Sequence, residues 1–101
     1  MAARLSGDEF ALLVHGGPDE TFRAAQLAAV VTTAEPVPLD GGATVTVVAS
    51  VGYTTSRLGV PARVLLGEAD EAMYRAKRGG TGVCRYEPAS ETQAGRCRDR
   101  P

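Results

Sequence analysis

Large apolar residues first cluster at residues 10–14 (FALLV), directly after a polar stretch that ends in Ser-Gly-Asp-Glu. Side chains in this cluster are apolar on both faces of an extended chain, which predicts a short strand buried on both sides. Ser-Gly-Asp favours a turn, because glycine can adopt a positive φ and aspartate can hydrogen-bond its own backbone. We therefore expect a hairpin tip at residues 6–8, with the partner strand lying before Met1.

Farther along the chain, the pattern of apolar positions predicts two helices. Residues 19–34 carry a stripe with helical spacing, formed by Ala24, Leu27, Ala28 and Val31. Residues 61–78 carry a second stripe, formed by Ala62, Leu65, Leu66, Ala69, Met73 and Ala76. Two consecutive glycines then end this helix. Each helix should pack its apolar face on a sheet.

Between the helices, the period changes from helical spacing to strict alternation. Residues 36–39, a turn made of Asp-Gly-Gly, and residues 44–53 predict a short strand, a tight turn and a long strand. A last short strand is predicted at residues 83–86. Residues 87–101 are polar, charged and aperiodic, which predicts a disordered tail. The order of elements indicates an α/β domain with helices packed on a mixed sheet.

Composition limits the class of protein. A chain of 101 residues with 44% hydrophobic and 23% charged residues fits one small domain. Its formal charge of −1 gives no field of one sign, so we expect no nucleic acid partner. Apolar runs fall far below the roughly 20 residues of a membrane span, and we see no signal peptide. We expect a cytoplasmic protein with Cys84 and Cys97 as free thiols.

Three motifs in the same order resemble one known family. Residues 4–10 (RLSGDEF) are similar to the hairpin signature of GGDEF domains, in which Arg-x-Gly-Gly-Asp/Glu-Glu-Phe precedes a buried strand. Ser6 stands in place of the first glycine. Residues 45–52 resemble the family's long strand with its Ser-x-Gly end. Residues 68–77 (EADEAMYRAK) resemble its Ala-Asp-x-Ala-Met-Tyr-x-Ala-Lys helix.

The resemblance covers residues 4–86 and corresponds to the C-terminal half of the family's domain. It implies a ferredoxin-like, nucleotidyl cyclase-type antiparallel sheet with helices on it, truncated at its N-terminal half. Residues 1–86 would form this partial domain, and a longer parent could carry an upstream sensory domain. Because the absent first strand is central in such a sheet, we expect the chain to have difficulty forming the complete fold.

The resemblance also implies a reaction and its residues. Diguanylate cyclases condense two GTP molecules into cyclic di-GMP as homodimers, with Mg²⁺ or Mn²⁺ as cofactor, because a divalent metal neutralises phosphate charge. By position, Asp8 would be a catalytic metal ligand and Glu9 its catalytic neighbour. Gly7 would bind substrate by allowing close approach of the backbone. Lys77 would contact the triphosphate.

Each assignment has a structural alternative. The hairpin sequence is also typical of a solvated turn, and Lys77 lies in a last helical turn, where cations complement the helix dipole. Ser6 and Thr81 depart from the family pattern, since the family often has a phosphate-binding arginine in place of Thr81. A degenerate module that binds nucleotide or a partner protein without catalysis is therefore the rival hypothesis, and a remnant with a structural role is a third. We expect the 101-residue chain alone to have negligible activity.

Overall fold

A computed structural model describes residues 1–87 and 97–98 of the chain. Two helices lie within this part, α1 (Pro18–Thr33) and α2 (Ala62–Gly79). The strands are β1 (Ala2–Ser6), β2 (Glu9–Leu12), β3 (Val37–Pro38), β4 (Thr44–Val45), β5 (Val51–Tyr53), β6 (Val83–Arg85) and β7 (Cys97–Arg98). The predicted α/β class is confirmed by this arrangement.

The strands form three separate sheets. β1 pairs with β2 and β3 pairs with β4, each antiparallel. The third sheet has the order β5-β6-β7, in which β6 pairs antiparallel with β7 but parallel with β5. A parallel pair needs a crossover connection, which α2 provides between β5 and β6. Among the described residues, the antiparallel pairing implied by the family resemblance therefore holds in every strand pair except β5–β6.

The β5–β6 pair is covered by a helix on each face, and two small clusters of buried residues form the core. The first cluster lies between α1 and the sheet and contains Ala25, Ala29 and Val83, with Val51 and Tyr53 packed against them. The second lies between α2 and the sheet and contains Ala72, Ala76 and Cys84, with Tyr86 and Cys97 packed against them. Successive residues of β6 point to opposite faces, so this strand contributes to both clusters.

Gly52 is the point where β5 and α2 approach most closely. A Cβ atom placed on Gly52 would lie 2.1 Å from the backbone nitrogen of Met73 and 2.2 Å from the carbonyl oxygen of Ala69. Both contacts are with helix backbone, which cannot move aside as a flexible side chain can. Only glycine permits this approach of strand and helix. The glycine in the Ser-x-Gly sequence is therefore required by packing.

The helix boundaries follow from local sequence. α1 begins at Pro18, whose fixed φ suits a first helical turn, and ends shortly before Pro36, which disfavours helical conformation in the residue ahead of it. α2 ends at Gly79, and the C-cap residue Gly80 adopts a left-handed conformation with φ of 71°. The amide of Gly80 bonds to the carbonyls of Ala76 and Lys77, satisfying groups that a helix end leaves open.

The face of α1 that packs on the sheet differs from the predicted one. Leu27 and Val31 of the predicted stripe are each 62% exposed, whereas Ala25 and Ala29 are buried. Alanines allow the helix axis to come close to the sheet, so residue size outweighs hydrophobicity in selecting this face. Leu27, Val30 and Val31 consequently lie on the solvent side of α1, whereas Phe22 is partly buried with its ring 6.2 Å from that of Tyr53.

The first hairpin also differs from the prediction. The partner strand is β1, whose Arg4 lies opposite Phe10, so the expectation that this strand precedes Met1 is wrong. Burial on both faces is wrong as well, because Phe10 is 68% and Leu12 59% exposed. The helices pack on β5 and β6 rather than over this hairpin. The turn itself lies at residues 7–8, within the predicted tip.

The predicted long strand over residues 44–53 is interrupted. β4 ends at Val45 and β5 begins at Val51, and the residues between them are not in a strand. The break is required because β4 pairs with β3, whereas β5 leaves that pair to lie beside β6. The predicted turn before β4 is a short 3-10 turn, in which Gly41 and Gly42 both have φ of 85°.

The prediction of free cysteines is wrong. Cys84 of β6 and Cys97 of β7 lie opposite each other in the sheet and form a disulfide. The predicted tail, residues 87–101, is described only at Glu87, which is buried, and in β7. Residues 88–96 and 99–101 of that prediction lie outside the described residues.

An ion pair between the half-exposed Arg57 and the buried Glu68 holds the loop between β5 and α2. Glu68 of α2 is only 9% exposed, and its Oε1 accepts hydrogen bonds from Thr54 Oγ1 at 2.9 Å and Arg57 Nη1 at 3.0 Å. Arg57 Nη2 also donates to Glu68 Oε2. The hydrogen bond from Arg57 lowers the pKa of Glu68, with help from Thr54, and the same bond raises the pKa of Arg57. The carboxylate is therefore held in its charged form.

We predict that Gly52→Ala destabilises the domain, because the added methyl group must displace the backbone of α2. Overpacking of this kind typically costs about 1–3 kcal/mol. The measurement is the free energy of unfolding from urea titration. Gly67→Ala is the matched control, since a Cβ on this exposed α2 residue meets nothing within 4 Å. It should stabilise the helix by roughly 0.5–1 kcal/mol. Equal unfolding energies for the two variants would contradict the packing argument.

We predict that Glu68→Gln lowers the urea midpoint at neutral pH and that this difference disappears in acid. The folded-state pKa of Glu68 is lowered, so its stabilising effect is complete above the unfolded pKa, about 4.3. It is lost as the pH falls through the folded-state value. The control is Glu71→Gln, which removes an exposed pair with Arg75 at 3.6 Å and should change little. A loss that is independent of pH would contradict the ion-pair explanation.

Candidate functional site

The β1–β2 hairpin presents the two carboxylates of the RLSGDEF sequence at its tip. Asp8 lies in the turn and is exposed, and Glu9 begins β2 and is partly exposed. Ser6 Oγ donates a hydrogen bond to Glu9 Oε1 at 3.1 Å across the hairpin. This bond restrains the Glu9 side chain and leaves Asp8 as the more accessible carboxylate.

Arg4 holds the turn from the neighbouring strand. Its Nε and Nη2 donate to the carbonyl oxygen of Gly7 at 3.2 and 2.9 Å, and Nε also lies 3.3 Å from the carbonyl oxygen of Ser6. Charged donors strengthen such bonds. The tip is therefore braced by a side chain of the same signature sequence.

Gly7 has no packing role in the described part of the chain. A Cβ placed on it meets nothing within 4 Å, and its φ is not positive. The expectation that the turn uses the conformational freedom of Gly7 is therefore wrong. The space beside Gly7 is open, so a ligand could reach the backbone there.

The oxygen donors at the tip suit a hard divalent cation. Mg²⁺ usually binds through one or two carboxylates together with water and substrate phosphates. Asp8 and Glu9 supply that number of carboxylates. Across residues 1–87 and 97–98, no three His, Cys, Asp or Glu side chains converge as a metal cluster would require. The donor set therefore fits a cation shared with a phosphate ligand, rather than one enclosed by the described residues alone.

Lys77 lies on a different element from the other predicted site residues. It is exposed in the last turn of α2, and α2 packs on β5 and β6. The structure thus brings Gly7, Asp8 and Glu9 together at one turn. Within the described residues, no hydrogen bond or ion pair joins Lys77 to that turn. Next to Lys77, the guanidinium of Arg78 lies 5.6 Å from the centre of the Tyr74 ring.

Thr81 turns inward after the end of α2. Its Oγ1 lies 3.4 Å from the carbonyl oxygen of Ala76 and 3.5 Å from Sγ of Cys84. A short hydroxyl in this position cannot supply the positive charge that an arginine would bring. The departure from the family pattern at Thr81 therefore removes a cation and places a polar group beside a cysteine.

Sequence reasoning missed the role of Glu68. Its carboxylate is bound by Arg57 and Thr54, which excludes it as a free metal ligand. A signal was available, because Glu68 precedes Ala72 and Ala76 at intervals of four and thus shares their buried helix face. A carboxylate on such a face requires a partner. The sequence does not indicate that Arg57 is this partner.

Comparison with known proteins gives a family assignment. The family described as diguanylate cyclase, GGDEF domain, matches residues 1–83. An uncharacterized signaling protein of Caulobacter vibrioides is 41% identical over 88 residues. The alignment covers 84% of this chain and 11% of that protein, so the chain spans about a tenth of its relative's length.

No solved structure matches the chain. Neither α1 nor α2 has the length and hydrophobicity needed to cross a membrane, and the described residues contain no other such helix. The family match includes the hairpin with Asp8 and Glu9, α1, and α2 with Lys77. The chain belongs to the GGDEF domain family of diguanylate cyclases, and its relative is a signalling protein.

Proposed function

We propose that this domain serves a diguanylate cyclase that condenses two GTP molecules into cyclic di-GMP and pyrophosphate. The observation that carries the proposal is the braced hairpin tip, which presents Asp8 and Glu9 to solvent within a chain of this family. In the reaction, the 3′-hydroxyl of each nucleotide attacks the α-phosphate of the other. A homodimer holds the two nucleotides face to face.

Asp8 and Glu9 have different roles in this proposal. Asp8 is the principal ligand of Mg²⁺ or Mn²⁺, because it is exposed and forms no hydrogen bond or ion pair with another side chain among the described residues. Glu9 assists from a position that the Ser6 hydroxyl restrains at 3.1 Å. When bound, the metal neutralises phosphate charge and polarises the attacking hydroxyl. Gly7 lets the nucleotide reach the backbone, where the open space lies.

Lys77 contributes positive charge to the triphosphate. It is exposed and forms no ion pair within the described residues, so its ammonium group is available to an anion. Thr81 bears no charge, and the guanidinium of Arg78 lies over the Tyr74 ring, so the proposal assigns the contact with the triphosphate to Lys77. A GTP substrate also places the domain in the cytoplasm, with a sensory domain of a longer parent controlling its dimerisation.

The 101-residue chain alone is inactive in this proposal. Asp8 and Glu9 give too few ligands for the pair of metal ions that a two-metal site requires. No third carboxylate joins them in the part of the chain that the structure describes. Further ligands, and the groups that recognise guanine, must come from other residues of an active enzyme.

A second function is favoured by one specific observation. Ser6 replaces the first glycine of the signature and binds Glu9, which restrains a carboxylate that the reaction would use. A non-catalytic module that binds nucleotide or a partner protein would tolerate this restraint. The two functions differ in turnover, so product analysis separates them.

We predict that the 101-residue chain forms no cyclic di-GMP from GTP and Mg²⁺, as analysed by chromatography. If the reading frame continues upstream of the Met1 codon, the longer protein translated from it should form cyclic di-GMP. Asp8→Asn in that longer protein should reduce turnover by about a hundredfold or more, as removal of transition-state charge stabilisation does. Asp19→Asn, in the first turn of α1, is the matched control and should retain turnover. Full activity of Asp8→Asn, or binding without turnover in the longer protein, would favour the non-catalytic module.

We predict that Lys77→Ala weakens binding of GTP in the same longer protein, because one cation is lost from the triphosphate. Titration calorimetry should show a tenfold or greater increase in Kd, which corresponds to about 1.4 kcal/mol. Arg63→Ala, in the first turn of α2, removes the same charge at the opposite end of the helix and serves as the control. Similar affinities for the two variants would exclude a role for Lys77 in nucleotide binding.

A further inference from the structure

The Cys84–Cys97 disulfide joins a buried position to the last described strand. Cys84 is 1% exposed and packs with Ala72 and Ala76 of α2, whereas Cys97 is partly exposed. In the described residues, β7 pairs with β6 at two positions, Val83 with Arg98 and Cys84 with Cys97. A two-residue strand has few hydrogen bonds with which to stay in place. Within the described residues, the disulfide adds a covalent link to this short pairing and to the packing of Cys97 against the second core cluster.

We propose that Cys84 and Cys97 form a thiol–disulfide exchange site that a dithiol reductant opens, and that its opening releases β7 from β6. The feature does not depend on the cyclase reaction, since neither cysteine belongs to the hairpin site. A disulfide between a core residue and an accessible one gives the reductant a single point of attack. The attachment of β7 to β6 therefore depends on the ratio of oxidised to reduced thiols around the protein.

The exchange proceeds in two steps that conserve electrons. A thiolate of the dithiol attacks Sγ of Cys97, the more exposed sulfur, and the bond to Cys84 breaks. Cys84 leaves as a thiolate and takes up a proton. The second thiol of the reductant then attacks the mixed disulfide, which yields the Cys97 thiol and an oxidised reductant. Two electrons pass from the dithiol to the two cysteines.

Thr81 is a positioning residue for this exchange. Its hydroxyl donates to the carbonyl oxygen of Ala76 at 3.4 Å and lies 3.5 Å from Sγ of Cys84, so rotation of the hydroxyl can direct its proton to the leaving thiolate. A buried thiolate without such a donor is disfavoured by its loss of hydration. The hydroxyl therefore favours departure of Cys84 over departure of Cys97. This assigns a role to Thr81, which, like Ser6, departs from the family pattern.

The experiment uses the full chain in oxidised and reduced form. Peptide mapping of the oxidised chain should recover residues 84 and 97 in one cross-linked species, and dithiothreitol should separate them without unfolding the domain. Hydrogen exchange in Val83–Arg85 should then increase. The two cysteines are separated by 13 positions in the sequence. The loop-closure entropy for this separation predicts that the population with β7 detached is about a hundredfold larger in the reduced chain than in the oxidised chain. The proposal is wrong if the cross-link is absent, or if hydrogen exchange in Val83–Arg85 is unchanged after reduction.

Two variants separate exchange from general loss of structure. Cys97→Ser changes a partly exposed residue and removes the disulfide. Hydrogen exchange in Val83–Arg85 of this variant should match that of the reduced parent chain, with or without dithiothreitol. Thr81→Val keeps the side-chain shape and should slow reduction of the disulfide by dithiothreitol severalfold. Hydrogen exchange in the oxidised chain should stay unchanged. If hydrogen exchange in Cys97→Ser still depended on dithiothreitol, the proposal that the disulfide holds β7 on β6 would be wrong. Equal reduction rates for Thr81→Val and the parent chain would overturn the role of Thr81.

Discussion

The close approach of β5 and α2 at Gly52 is the constraint on which the rest of the structure depends. The backbones of strand and helix come so close there that the space between them would not hold even a methyl group. This position of α2 places Glu68 over the preceding loop and Ala72 and Ala76 against Cys84. The contact thus sets both the ion pair and the second core cluster. It also determines where the end of α2, with Lys77, can lie.

The sequence predicted the elements of this fold better than their partners. Both helices have the predicted positions within one or two residues, because helical periodicity is a local property that persists over many turns. Alternation at residues 44–53 could not show that the chain changes sheets between Val45 and Val51, since a period of two is the same in either sheet. The packed face of α1 was also not predictable, because close approach selected Ala25 and Ala29 over larger apolar residues.

In the candidate site, too, the sequence predicted local features but not contacts between distant parts of the chain. A local signature was sufficient to predict the turn that carries Asp8, because the turn and its bracing by Arg4 lie within a few residues. The distant groups were not predictable from spacing. Glu68 required knowledge of a loop partner, and the disulfide required the pairing of β6 with β7. What sequence reasoning lacked was the arrangement of contacts between elements remote in the chain.

The parallel pairing of β5 with β6 has a consequence for the order in which the chain acquires its structure. Two antiparallel hairpins need only local contacts and can form within about 1–10 microseconds. β5 and β6 are joined by the whole of α2, so their pairing must wait until a long loop has closed. The hairpin that carries Asp8 therefore closes a short loop, whereas the sheet that contains Gly52 forms only at the larger entropic cost of closing the segment that spans α2.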